Sequence, residues 1–247
     1  MSRALGFDVS FYQDNDETPQ KIDFQKMRNN GADFVIMRVG QNYWMDEDFI
    51  DYANASSKVK GLLRGSYWFY DARNYIKKQC ELYWEAIDNF ELDLPPVMDF
   101  ESYSVKYISR SRWSRNYFLS LIGEFMNTMD DLSGDTCMFY TNPAWLHYLS
   151  PLPAWLKARP FWVAYYGPET YLKPEYGLFG MPGWDFWQQT SKGDGAKYGV
   201  ESKSIDQNIF NGTRKELLKW CGIGSEPPPP EYTMKEKVEI LWKDYID

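Results

Sequence analysis

Short apolar runs rich in β-branched and aromatic residues recur along the 247-residue chain. Each run is followed by a polar or aromatic segment and then, in most cases, by a stretch whose apolar residues are three and four positions apart. This alternation predicts successive β/α units, and eight strands are the number that closes a parallel barrel. The predicted strands span residues 4–9, 34–39, 63–69, 96–101, 136–140, 161–165, 184–188 and 204–206.

Helical spacing predicts helices over residues 22–30, 46–60, 76–90 and 111–129. Between residues 151 and 199, glycine and proline recur so often that the outer helices should be reduced to single turns. We therefore expect an α/β fold: an irregular TIM-like β/α barrel with reduced helices in its second half, followed by a short C-terminal helix.

The composition changes at residue 224, shortly before four consecutive prolines at 227–230. Such prolines enforce an extended stretch, so we divide the chain into a barrel domain over residues 1–223, a linker over 224–232 and a tail over 233–247. The tail starts with a Thr-x-x-Glu capping box and then has apolar residues spaced by four, three and four, which predicts an amphipathic helix. Such a helix would dock on its own barrel or associate with a second copy or a partner protein.

Aromatic residues form 18% of the chain, and rings in such numbers line grooves for sugars or bases as well as filling cores. The formal charge of −8 argues against nucleic acid, whose binding requires clustered lysine and arginine. Because His147 is the single histidine, a zinc site of the His-x-x-x-His kind is excluded. We expect no metal and no cofactor.

Cys80, Cys137 and Cys221 are odd in number and share no short spacing, which favours free thiols in a chain made in a reducing compartment. The first residues have no apolar stretch of the kind found in secretory signals, and no apolar run approaches the length of a membrane span. The sequence therefore predicts cytoplasmic synthesis without a signal peptide and no membrane span.

The sharpest local feature is Asp99-Phe100-Glu101 at the end of the fourth predicted strand. Residues two apart on a strand point to the same face, with Cα atoms about 6.6 Å apart. Two crowded carboxylates should differ in pKa, and we expect Glu101 to be the protonated one and Asp99 to stay ionised. An acid beside a negative group is what cleavage of a glycosidic bond needs, whereas a strand end with solvated acids is the alternative interpretation.

Further acids and rings lie at other strand ends. Asp8 closes the first predicted strand and Asp206 the last, and these two strands are neighbours in a closed barrel. Four carboxylates are thus expected at one mouth. The rings at the same ends suit a polysaccharide whose C–H faces stack on aromatics, and a metal site would not explain them; they are Tyr67, Phe69, Tyr140, Tyr165, Tyr166 and Trp187.

Six ordered segments at these strand positions resemble the glycoside hydrolase family 25 lysozymes, the N-acetylmuramidases common among phage endolysins. The resemblance covers about residues 4–212. The segments are residues 6–10 (Gly-Phe-Asp-Val-Ser), 31–38, 65–69 (Gly-Ser-Tyr-Trp-Phe), 95–101 (Pro-Pro-Val-Met-Asp-Phe-Glu), 140–143 and 187–190 through 206–208.

The resemblance implies a lysozyme that hydrolyses the β-1,4 bond between N-acetylmuramic acid and N-acetylglucosamine in peptidoglycan, and so lyses cell walls. It assigns Glu101 as the general acid and Asp99 as its carboxylate partner, with Asp8 and Asp206 as the acids of the first and last strands. The sequence departs from many members at Trp68, where they carry His. The residues at substrate-groove positions are Arg38, Tyr67 and Tyr140, to which the rings of Phe69, Tyr165 and Trp187 are added.

Two other functions are weighed. A chitinase-like barrel also uses Asp-x-Glu, but its longer motif needs acids where Leu94 and Val97 stand. A catalytically silent glycan-binding module, or an assembly module of a phage or injection particle attached through the C-terminal helix, is the alternative outside catalysis. The expected partner is the glycan strand of bacterial peptidoglycan, reached after release through a pore or by particle delivery.

Overall fold

The computed structural model describes residues 2–14 and 21–224. The strands within these residues are β1 (Leu5–Val9), β2 (Ala32–Gln41), β3 (Trp44–Met45), β4 (Leu63–Phe69), β5 (Val97–Asp99), β6 (Met138–Thr141), β7 (Phe161–Ala164), β8 (Phe186–Asp194) and β9 (Ser204–Phe210). The helices are α1 (Phe24–Asn29), α2 (Phe49–Ser57), α3 (Ile76–Ile87), α4 (Arg115–Ser133), α5 (Pro143–Leu149), α6 (Ala154–Lys157) and α7 (Arg214–Trp220).

Eight of these strands form a closed barrel in the order β1-β2-β4-β5-β6-β7-β8-β9, because β1 pairs with both β2 and β9. The short β3 only extends β2 as an antiparallel hairpin. All eight predicted barrel strands are present, so the predicted irregular barrel is confirmed. The predicted boundaries differ most at β8 and β9, which extend to Asp194 and Phe210.

The last strand is an exception to the parallel arrangement of the barrel. β9 runs antiparallel to both of its neighbours, β8 and β1. The reason is the connection from β8 to β9, which is too short for the crossover that a parallel pair requires. Asp206 therefore lies near the beginning of β9 rather than at its end, and this reversal puts it beside Asp8 at the carboxyl end of the parallel strands.

Side-chain alternation along the strands creates two apolar layers. On β2, Phe34 and Ile36 point into the barrel, whereas Val35 and Met37 point outward. The outward layer is covered by the helices, of which α3 and α4 pack against each other. In the second half, the helical elements of residues 151–199 are the four-residue α6 and one 3₁₀ turn, Glu169–Tyr171, which confirms the predicted reduction of the outer helices.

The four predicted helices correspond to α1–α4. Helix α4 begins and ends later than predicted, because Ser114 caps its first turn by accepting a hydrogen bond from the Tyr117 amide, and Gly134 ends it with a φ of 71°. The predicted proline linker and tail helix, at 225–247, lie outside the described residues. None of the helices described within 2–14 and 21–224 is long and apolar enough to cross a membrane.

Gly6 on β1 is a position where the barrel interior has no room for a side chain. An added Cβ would lie 2.3 Å from the fully buried Phe34 ring. We expect Gly6→Ala to lower the free energy of unfolding by about 1–3 kcal/mol, measured by urea unfolding. Gly183→Ala is the matched control, because nothing lies within 4 Å of its added Cβ. Equal stability of the two variants would contradict this packing.

Candidate active site

The four predicted acids meet at the carboxyl end of the barrel. Asp8 from β1, Asp99 from β5, Asp206 from β9 and Glu101 all line one cavity of about 210 Å³, which we call the inner cavity. Their convergence depends on three strands that are distant in sequence, and it agrees with the prediction of a carboxylate cluster at one mouth.

Asp8 is held by two side-chain amides. Gln188 Nε2 and Asn208 Nδ2 donate to its Oδ2 over 2.9 and 2.7 Å. Each amide is itself oriented, since Asn208 Oδ1 accepts from Trp162 Nε1 over 2.9 Å and Gln188 Oε1 accepts from Tyr166 Oη over 2.8 Å. These contacts leave both NH₂ groups facing Asp8. We refer to Gln188 and Asn208 as the amide pair.

The charge of Asp8 affects the other acids. Burial raises its pKa to about 6, against the opposing effect of the amide pair, so the carboxyl is mostly ionised at neutral pH. Burial raises the pKa of Asp206 to about 8, and the nearby charges of Asp8 and Glu101 add to this. Asp206 is therefore mostly protonated at neutral pH.

Asp99 and Glu101 are also shifted upward. Burial, followed by the charges of Glu101 and Asp8, holds the pKa of Asp99 well above its ordinary value. Burial raises the pKa of Glu101 as well, against a hydrogen bond from Tyr140. The expectation that Asp99 stays ionised therefore differs from the structure, in which Asp99 is the more buried of the two and ionisation of either disfavours ionisation of the other.

Glu101 lies two residues beyond the end of β5, although the predicted strand included it. β5 ends at Asp99, but Phe100 N still donates to Tyr140 O over 3.0 Å, and the Phe100 ring is buried in the outward layer. Asp99 and Glu101 therefore line the same cavity, as predicted. Glu101 also lines a neighbouring cavity of about 530 Å³, which we call the outer cavity; its rings are Tyr140, Tyr165, Tyr166 and Tyr171.

Arg38, Tyr67, Phe69 and Tyr140, all predicted groove residues, line the inner cavity. Arg38 Nε donates to Asp46 over 2.7 Å, and its guanidinium lies 4.6 Å from the centroid of the Phe11 ring. Arg38 Nη2 and Asp99 Oδ1 are buried without a hydrogen-bond partner among the described residues. A donor and an acceptor are thus available to a ligand in this cavity.

Two tryptophans lie away from the cleft. Trp187 packs against Trp184 and donates to Tyr165 O over 2.6 Å, and it lines neither cavity. Trp68 is fully buried on the outward face of β4, where it stacks on Tyr83. Tyr165 does line the outer cavity, with its ring stacked on Tyr171 at a centroid distance of 4.9 Å.

The sequence analysis missed the amide pair. Strand alternation contained the signal, because a residue next to the outward Trp187 points inward and Asn208 is two positions from Asp206 on the same face. Tyr166 was noted as a ring, but its hydrogen bond to Gln188 depends on the fold. Among residues 2–14 and 21–224, no group of three or more His, Cys, Asp or Glu side chains has an arrangement that could hold a metal ion.

Asp206 gives a test of these electrostatics. Its pKa is about 8 in the folded protein and near the ordinary 3.8 in the unfolded chain. Between these values the folded state binds more protons, so the free energy of unfolding falls as the pH rises. Asp206→Asn removes this cost of ionisation.

We expect the stability of Asp206→Asn relative to the parent protein to increase by at least about 1 kcal/mol between about pH 4 and about pH 8, measured by urea unfolding. Asp51→Asn, which removes an exposed carboxylate on α2, is the control and should show no such trend. If the difference in the free energy of unfolding between Asp206→Asn and the parent protein does not change with pH, the raised pKa of Asp206 is contradicted.

Comparison with known proteins agrees with this fold. The uncharacterized protein YegX of Escherichia coli O157:H7 is 27% identical over 230 residues, which cover 90% of this chain and 75% of that protein. A bacterial lysozyme from Streptomyces coelicolor has a similar fold, with a TM-score of 0.73 and 24% identity over 90% of this chain and 98% of that one. A family 25 glycosyl hydrolase from Bacillus anthracis has a TM-score of 0.72 and 20% identity, covering 90% of this chain and 94% of that one.

The family assignment comes from the sequence itself. The model of the glycosyl hydrolases of family 25 matches residues 7–197, a range that includes Asp8, Asp99, Glu101 and Gln188. The match extends over more than half of the chain, and its fold agrees with the solved structures. The chain therefore belongs to glycosyl hydrolase family 25.

Proposed function

We propose that this protein is a peptidoglycan hydrolase that cleaves the β-1,4 bond between N-acetylmuramic acid and N-acetylglucosamine in the bacterial cell wall. Family membership supports a glycosidase, and the similarity to a bacterial lysozyme supports a wall glycan as substrate. The observation that carries the proposal is the position of Glu101, the one acid of the cluster that lines both the inner and the outer cavity.

A glycan that crosses the mouth would put one sugar in each cavity and the bond between them at Glu101. The raised pKa of Glu101 keeps a proton available for the departing oxygen. Tyr140 Oη lies 3.3 Å from Glu101 Oε1 and 3.0 Å from Gln188 Oε1. Tyr140 can donate to an ionised Glu101. When Glu101 is protonated, the one hydrogen of the Tyr140 hydroxyl can go to Gln188 instead, and Tyr140 can accept from Glu101.

The inner cavity supplies the negative charge that the reaction needs. Cleavage of a glycosidic bond develops positive charge at the anomeric carbon, and the ionised Asp8 lies in the same cavity. The unpartnered Asp99 Oδ1 is an acceptor suited to the N–H of a substrate acetamido group. An acetamido group oriented in this way would act as the internal nucleophile and give retention of configuration.

Around these acids, side chains of two kinds would hold the sugars. Arg38 offers the buried Nη2 donor to a sugar oxygen in the inner cavity. In the outer cavity, the stacked rings of Tyr165 and Tyr171 offer apolar faces on which C–H groups of a sugar can pack.

Glu101→Gln tests the acid. Glutamine keeps the shape of the side chain but has no proton to give, so the rate of wall hydrolysis should fall by roughly 10²-fold or more while the melting temperature changes little. Release of reducing ends from purified sacculi measures the rate. Glu85→Gln, at an exposed position on α3, is the control and should retain activity. Near-normal hydrolysis by folded Glu101→Gln would exclude Glu101 as the acid.

The identity of the cleaved bond is a separate prediction. Mass spectrometry of the digested sacculi, after borohydride reduction, should find N-acetylmuramic acid at the new reducing ends. Reduced N-acetylglucosamine in that position would mean that the other glycosidic bond of the wall is cleaved, and the proposed specificity would be incorrect.

The role of Asp99 predicts a stereochemical result. With the acetamido group as nucleophile, proton NMR of the first-formed product should detect the β-anomer, and Asp99→Asn should lower kcat more than it raises KM. First appearance of the α-anomer would indicate direct attack by water with inversion. It would exclude the route through the acetamido group.

A further inference from the structure

The segment that directly follows Glu101 is basic in an acidic protein. Residues 102–113, which we call the rim segment, contain Lys106, Arg110 and Arg112 and no acidic residue, although the whole chain has a formal charge of −8. All three side chains are exposed. None of them forms an ion pair with any residue that the structure describes.

The rim segment is fixed to the barrel. Ser104 accepts a hydrogen bond from Glu101 N over 3.0 Å with its hydroxyl and one from Ala72 N over 2.8 Å with its carbonyl. Val105 is fully buried, and Trp113 Nε1 donates to Ile108 O over 3.1 Å. A surface fixed in this way loses less conformational entropy when it binds a partner.

Two of the three cations of the rim segment lie over its own rings. Lys106 Nζ is 4.9 Å from the centroid of the Tyr103 ring, and the Arg110 guanidinium is 3.9 Å from that of Trp113. A hydrogen bond with Tyr103, followed by the charge of Lys106, lowers the pKa of Tyr107. The surface therefore combines positive charge with apolar ring faces.

This surface is continuous with the cleft. Phe69 lines the inner cavity and contacts Tyr103 edge to face, at a centroid distance of 6.1 Å. At the other end, Trp113 packs on Trp145, whose Nε1 donates to Ser102 Oγ over 3.3 Å. The rim segment therefore borders the cleft on the side of Phe69 and directly follows Glu101 in the chain.

We propose that the rim segment binds the acidic peptide that N-acetylmuramic acid carries in peptidoglycan. The proposal rests on the proposed function, since it assumes a wall glycan in the cleft. The peptide carries free carboxylates, which exposed and unpaired lysine and arginine side chains attract, while the rings contact its apolar atoms. The neutral sugars of the glycan would give these cations no partner.

The test compares variants that differ only in where positive charge is lost. The rim variant carries Lys106→Gln, Arg110→Gln and Arg112→Gln. The matched control carries Lys58→Gln, Lys60→Gln and Lys215→Gln, at three exposed positions. They are close in sequence to Gly61 and Arg214, which are hydrogen-bonded to each other. Gly61 precedes β4, so these positions lie at the end of the barrel opposite to the cleft.

Binding is measured by sedimentation with insoluble sacculi, with Glu101→Gln added to every protein so that no wall is digested. One batch of sacculi is treated with hydrofluoric acid to remove phosphate polymers. Half of this batch is left with its carboxylates, and we call it native sacculi; the other half is amidated with carbodiimide and ammonia to neutralise the carboxylates. A second batch keeps its phosphate polymers. We expect the rim variant to bind native sacculi about tenfold more weakly than the parent, and the control within about twofold of it. On amidated sacculi the parent and the rim variant should bind equally weakly.

Salt gives a second readout, because binding of the parent should weaken between about 0.05 and 0.5 M NaCl and that of the rim variant should change less. Equal binding of the rim variant and the parent to native sacculi would overturn the proposal. So would tight binding of the parent to amidated sacculi. Weaker binding of the rim variant than of the parent that is found only with walls that keep their phosphate polymers would also overturn the proposal. It would identify those phosphates as the ligand.

The outcome is separable from that of the proposed function. If the protein with an intact Glu101 releases no wall fragments but the binding differences are found, the proposed hydrolysis fails and the peptide site stands. If wall fragments are released and the rim variant binds normally, the hydrolysis stands and the peptide site fails.

Discussion

Two side-chain amides, from Gln188 on β8 and Asn208 on β9, donate hydrogen bonds to one buried oxygen of Asp8 on β1. These three strands are neighbours where the barrel closes, so the contact ties the first strand of the chain to the last two. A buried carboxylate needs such donors, because an unpaired charge in the interior is costly. Closure of the barrel and the presence of an anion in its mouth are therefore linked.

The rest of the cluster depends on that anion. Burial raises the pKa of Asp8 to about 6, and the charge of the ionised Asp8 raises the pKa values of Asp206, Asp99 and Glu101. Burial is the larger cause of each shift, and both causes act in the same direction. The site can thus hold an ionised carboxylate and protonated carboxyl groups together at neutral pH, which acid-catalysed cleavage of a glycosidic bond requires.

Charge is also divided between the cleft and its surroundings. The mouth contains four carboxyl groups, and the segment after Glu101 presents cations with no ion-pair partner among the described residues. Phe69 and Tyr103 connect the two regions through an aromatic contact. Under the two proposals, the cleft binds the neutral glycan and the rim segment its acidic substituent.

Much of this architecture follows from local sequence. The spacing of apolar residues predicted all eight barrel strands and helices α1–α4, because burial of one face imposes a period on each element. The two-residue spacing of Asp99 and Glu101 predicted that they share a face, since strand geometry alone determines that. Asp8 and Asp206 were identified because they lie at the ends of predicted strands, although Asp206 lies near the beginning of β9.

The tertiary structure decided what depends on contacts between distant residues. The antiparallel direction of β9 and the pairing of Asp206 with Asp8 arise from strand register across the closed barrel. The amide pair reaches Asp8 across 180 and 200 residues, and Trp187 is turned outward by the same register. Protonation of the acids depends on burial and on neighbouring charges, which exist only in the folded chain. Sequence therefore determined which residues reach the mouth, and the fold decided their partners and their charge.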